Sequence, residues 1–125
     1  MIDVFNGTTQ AEVLPAARRT ASANGSAVDM QDFIGRVAFI LMTSAGGGTS
    51  PTLDVKLQDS ADGSSGWADI SGATYTQVTD SADATESIGV KIDEVKRYVR
   101  AVATIGGTSP TFDSGVCVVG KKQNN

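Results

Sequence analysis

At 125 residues, 40% apolar and 19% charged, the chain is sized for one domain around one hydrophobic core, and its composition is neither disordered nor membrane-like. A formal net charge of −4 argues against nucleic acid as a partner, because binding a phosphate backbone depends on Lys and Arg displacing counterions. With no histidine and a single cysteine, the sequence lacks the commonest general base and zinc ligand and has no intramolecular disulfide.

The chain opens on Met1–Gln10, which has neither a positively charged start nor an apolar core of signal-peptide length, so no export signal is expected. No stretch is long enough for a membrane-spanning helix, and no membrane partner is expected. Ile2, Val4 and Phe5 form an apolar N-terminal segment and are candidate contacts with a neighbouring molecule; residues 1–14 are read as a possible arm. Asn24–Gly25 predicts a two-residue hairpin turn joining a strand near Arg18–Ala23 to one near Ser26–Met30, since Asn-Gly accepts positive φ at both positions. Arg36–Thr43 is almost continuously apolar and predicts a central strand covered on both faces.

Gly46–Pro51 breaks the chain, and Leu53, Val55 and Leu57 then alternate with polar residues as the inner face of a half-buried strand. Asp59–Gly66 is an acidic loop. Asp59 and Asp62 are weak calcium candidates there, set against the simpler expectation that Asp side chains cap their own turn, Gly63 takes positive φ and Trp67 covers the apolar base of the hairpin. Two short extended pieces, Trp67–Ile70 and Thr74–Val78, precede a polar loop, and Ile88, Val90 and Ile92 mark another half-buried strand. Glu94–Arg97 reads as a brief turn. Along Tyr98–Thr104, Val99, Ala101 and Ala103 share one face.

Phe112–Val119 supplies the last strand, with Cys117 expected to be a buried small hydrophobe and Val118 a core residue; residues 121–125 are a polar, flexible tail. The six residues Gly47–Thr52 recur as Gly106–Thr111. Each copy follows an apolar strand, which predicts two similar hairpins, with Pro entering the next strand where no ladder hydrogen bond is needed. Together the elements predict a single all-β domain over residues 1–125 with about seven or eight short antiparallel strands. A β-sandwich or small barrel is expected, and immunoglobulin-like and jelly-roll-like versions both meet the count without the pattern choosing between them.

No catalytic residues, cofactor or structural metal are expected. Ser–His–Asp and Cys–His arrangements need a histidine, no Ser-x-x-Lys spacing occurs, and the carboxylates fall in turns and on polar strand faces.

The run Val55–Gly63 with Trp67–Ile70, followed by Lys96–Ala101 and Gly106–Pro110, resembles the capsid decoration, or cement, proteins of tailed bacteriophages. The resemblance covers roughly residues 27–119. It implies a β-sandwich or jelly roll on the capsid exterior of a virion, binding the major capsid protein and itself as a homodimer or homotrimer, and bridging neighbouring capsomers. Other virion accessory proteins (head-fibre base, neck or tail) share that size and composition. A narrower pattern, Gln58-x-Ser60-x-Asp62-Gly63 with Trp67, is similar to a hairpin of discoidin-like carbohydrate-binding modules.

Overall fold

A computed structural model describes residues 8–122, so Ile2, Val4 and Phe5 lie outside the described residues. Eight strands run in chain order: β1 (Thr8–Arg19), β2 (Ala23–Asn24), β3 (Val28–Asp29), β4 (Phe33–Thr43), β5 (Gly47–Ser60), β6 (Ala68–Thr74), β7 (Ala84–Lys91) and β8 (Tyr98–Lys122). Single 3-10 turns, Met30–Asp32 and Ile92–Glu94, interrupt them. Every strand pairing is antiparallel.

The pairings build two sheets that share β8. Its C-terminal part lies between β1 and β4, with β7 beyond β4. Its N-terminal part lies between β5 and the short β2 and β3, with β6 beyond β5. Counting β2 and β3 as one strand and the two parts of β8 as two, the sheet orders are 1-8-3-6 and 2-7-4-5. That is the double Greek key of a jelly roll. The expected sandwich is therefore present, in its jelly-roll form.

The core lies between the sheets. Leu53, Val55 and Leu57 from β5, Val37, Phe39 and Leu41 from β4, Val99, Ala101 and Ala103 from the first part of β8, and Val116 and Val118 from its last part are all buried. Val90 and Phe112 join them. Each large apolar side chain so buried contributes about 1.5–3 kcal/mol. Tyr75 is buried too, and its hydroxyl donates to the Phe39 carbonyl at 2.6 Å, which satisfies the one polar atom it carries inside.

The two six-residue copies are not hairpins. They pair with each other at the corner where β8 passes from one sheet to the other, with Gly47 opposite Thr111, Thr49 opposite Thr108 and Thr52 opposite Gly106. Each strand carries one extra residue, on opposite sides of the Thr49–Thr108 pair. The extra residue in β8 shifts its alternation, so inward positions change from Val99, Ala101 and Ala103 to Phe112, Ser114, Val116 and Val118. The copies share a conformation: Gly48 and Gly107 have φ of 96° and 111°, Ser50 and Ser109 of 50° and 48°.

Asn24–Gly25 is also not a hairpin. Ala23–Asn24 and Val28–Asp29 both pair with β8, at Val102–Ala103 and Tyr98–Val99, and the Gly25 amide donates to Ala101 O at 2.7 Å. A Cβ on Gly25 would meet the Val13 carbonyl oxygen, so the glycine is needed for close approach to β1 rather than for reversal. The arm expected over residues 1–14 is likewise revised from Thr8 onward, since Thr8–Leu14 pair with Val116–Lys121.

Candidate functional site

The two outer faces of the sandwich differ in chemistry. On the β5–β6–β8 face, side chains hold one another. Lys56 Nζ reaches Asp69 at 3.1 Å, Gln58 Nε2 donates to Asp69 Oδ1 at 2.8 Å, and Arg100 Nε and Nη2 donate to Gln58 Oε1 at 3.0 and 2.9 Å. The Gln58 amide and then Lys56 hold the Asp69 carboxyl below its ordinary range. The Arg100 guanidinium carbon sits 4.4 Å from the centre of the Trp67 ring. Trp67 is thus half-buried on the outside of the sheet beneath Arg100, where it was expected to cover the apolar base of the hairpin.

The acidic loop between β5 and β6 is a self-capped turn. Asp62 accepts from the Ser64 and Ser65 amides at 3.0 and 2.9 Å and from the Ser60 and Ser65 hydroxyls at 3.1 and 2.9 Å. Those amides, more than the hydroxyls, hold its carboxyl well below the usual carboxylate range. Gly63 has φ of 79°, and a Cβ there would press on the Tyr98 ring. Asp59 faces elsewhere and accepts from the Lys96 amide at 3.1 Å. The two calcium candidates therefore serve separate turns, and among the described residues no three His, Cys, Asp or Glu gather to hold a metal ion.

The β1–β8–β4–β7 face is apolar at its centre. Register places Ala38, Ile40 and Met42 of β4 beside Val119, Cys117 and Gly115 of β8. These alternate with the inward Val37, Phe39, Leu41, Val116 and Val118, so they point outward. Met42 is 60% exposed, the one exposed large hydrophobic residue among those described. Beside it a groove of about 470 Å³ runs over β1, β8 and β4, where Gly115 lets the Ala16 backbone approach closely. Arg18 and Asp113 close one side with a 2.9 Å ion pair.

This stripe corrects two expectations. The Arg36–Thr43 run is central in its hydrogen bonding but covered by the core on one face only, and Cys117 is half-exposed on the other. The signal was in the sequence: an apolar run without alternation marks either a doubly covered strand or one whose outer face meets another molecule.

No family of known proteins matches the chain by sequence, and no curated protein does. Solved structures do match in shape. A pilus protein of Bacillus endospore appendages, from a family of disulfide-linked pili, superposes with a TM-score of 0.53 at 15% identity, over 99% of this chain and 98% of that one. The SPBc2 prophage-derived protein YomS gives 0.51 at 10% identity, over 95% and 98%. A chain of the infectious bursal disease virus VP2 subviral particle gives 0.54 at 9% identity; it aligns with 90% of this chain, which spans about 32% of it. At these identities the likeness is one of fold.

Proposed function

We propose that the chain is a structural virion protein that binds the outer surface of a tailed-phage capsid and stabilises it by bridging neighbouring capsomers. Its partners in this reading are the major capsid protein and further copies of itself. The observation that carries it is the jelly roll with an outward apolar stripe, a fold shared with a virus particle protein and a prophage-derived protein. A stripe on the outer face of a sandwich adds nothing to the protein's own core, so its natural use is contact. Affinity arises from bridging: a symmetric oligomer engages several capsomer sites at once, and modest contacts multiply through effective concentration. Ile2, Val4 and Phe5 and the Gly/Ser/Thr corner at Gly47–Pro51 and Gly106–Pro110 are the proposed capsid contacts.

The carbohydrate-binding alternative is weaker, because the one tryptophan has Arg100 stacked on its ring instead of offering that face to a sugar. The neck, tail and head-fibre readings share the size and composition and differ in where the protein sits. Co-sedimentation of purified protein with capsids that lack it tests the proposal. Saturable binding at a fixed ratio to the major shell protein, with more heat-resistant heads, is expected; no binding to mature heads would transfer the protein to the neck or tail.

A further inference from the structure

We infer that the outward β1–β8–β4–β7 face is a self-association surface that takes a second copy of this chain, face to face and with strands antiparallel. The inference names the self-contact of the proposed bridging role but rests on the geometry of the face itself. In the stripe of Ala38, Ile40, Met42, Gly115, Cys117 and Val119 each cross-strand pair sets a larger side chain beside a smaller one, and the two ends of the stripe differ in charge. At one end lie Arg36 and Lys91, paired across β4 and β7, with Lys121 on β8 beside Ile34. At the other end lie Asp83, just before β7, and Asp113 on β8, which the Ser44 hydroxyl and amide bind through its backbone.

A twofold axis in the plane of the interface, crossing the strands at the level of Ile40, keeps each strand over its own copy and exchanges the ends. Lys91 and Arg36 then face the second copy's Asp83, and Lys121 faces its Asp113. Met42, two residues from the axis, comes over the second copy's Ala38, the smallest of the three outward side chains of β4. Some of these charges already have partners: Arg18 binds Asp113, Asp83 caps the Ala45 amide at 2.8 Å, and Lys91 lies 3.9 Å from Glu94. Among the described residues Arg36 and Lys121 form no ion pair, so the new contacts add to those bonds without replacing them. One contact opposes the arrangement. Glu12, level with Cys117 on β1, meets its own copy near the axis.

Size sets the strength. Four strands about 4.8 Å apart over about eight residues of 3.4 Å cover roughly 500 Å². That falls short of the ~800 Å² a side of a stable interface, so the dimer is concentration-dependent and gains permanence where copies are held close together.

Sedimentation of the purified full chain, without capsids, over a wide concentration range tests this. A monomer–dimer equilibrium is expected. Met42→Glu places a charge on the apolar centre and should raise the dimer dissociation constant about 100-fold with the thermal melt unchanged, since Met42 is exposed. Glu12→Gln removes the like-charge contact and should tighten the dimer several-fold. Alkylation of Cys117 should be slow in concentrated wild type and fast in Met42→Glu. A wild type that stays monomeric to millimolar concentration would overturn the inference, as would a Met42→Glu variant that dimerises like wild type. Monomeric wild type combined with loss of capsid binding in Met42→Glu would overturn it in favour of the shell as occupant. Because no capsid is present in the first measurement, its failure leaves the capsid-binding reading standing.

Discussion

Asp62 binds two backbone amides and two hydroxyls of its own loop, and that concentration of donors favours its charged form in the folded chain. A carboxylate whose folded pKa is depressed contributes stability that is complete above the ordinary value of about 3.9 and is lost as pH falls below it. Asp29, Asp69 and Asp113 are depressed in the same direction by Arg97, by Gln58 with Lys56, and by Arg18. The melting temperature should therefore be flat near neutrality and fall below about pH 4. Asp62→Asn should melt lower than wild type at pH 7, with the gap narrowing as the pH approaches 3; thermal melts from pH 7 to 2.5 measure both. Burial makes a sharper contrast. Leu57→Asp, Val90→Asp or Val118→Asp would place an unpaired carboxylate in the core, at a cost of at least ~3 kcal/mol out of a total of about 5–15. Lys56→Glu on the outer face of the same strand loses one exposed ion pair and should cost below ~1 kcal/mol. Urea denaturation of the four variants reads the difference; equal damage would mean the register of β5 is wrong.

At the scale of elements, the corner made by the two six-residue copies is the least replaceable part of the fold. Gly48 and Gly107 lie in the left-handed region, and a Cβ on either would collide with backbone oxygens of the other copy, Ser109 O and Ser50 O. Gly48→Ala and Gly107→Ala should each cost more than ~1 kcal/mol, and the double variant should depart from the sum because both act on the same pairing. A double-mutant cycle by urea denaturation measures that coupling. Much of the fold was legible in the sequence where one face of a strand decides the pattern. Leu53, Val55 and Leu57, Val99, Ala101 and Ala103, and the positive φ of Gly63 follow from alternation and turn chemistry alone. What was not legible depends on partners remote in sequence. Asn24–Gly25 carries a hairpin signal, but the short strands on either side of it pair with β8, about eighty residues later, instead of with each other. The repeated Gly-Gly-Thr-Ser-Pro-Thr has the composition of a turn, and only the pairing of one copy with the other makes it a bend between sheets. The outward stripe was hidden for a related reason, since a run such as Val37–Met42 does not state which face the core will cover.

For the whole molecule the question is how a small jelly roll gains enough affinity to stabilise a shell. Two kinds of contact are assigned to different places: self-contact to the face of Ile40 and Met42, and capsid contact to the Gly/Ser/Thr corner and to the segment that precedes β1. The cut that tests the second must stop at Gly7, because Thr8–Gln10 pair with Val119–Lys121 and their removal would unzip an edge of the sheet. Deleting Met1–Gly7 keeps every described strand and every buried residue among those described, and should leave the melting temperature of the isolated protein within about a degree of wild type. Its effect on binding should be multiplied by linkage. If each copy loses about 1.4 kcal/mol of contact, one site weakens about tenfold, and two sites engaged together by a dimer weaken about a hundredfold. Met42→Glu should weaken binding by the other route, leaving each site intact and removing the second engagement. Co-sedimentation with capsids separates the two. The truncated protein should bind weakly at every concentration, whereas the Met42→Glu protein should bind with the affinity of a single site and without the steep retention of the linked pair. Combining both changes should then cost about tenfold less than the product of the two separate losses, because the truncation is felt at two sites in the linked pair and at only one in the monomer.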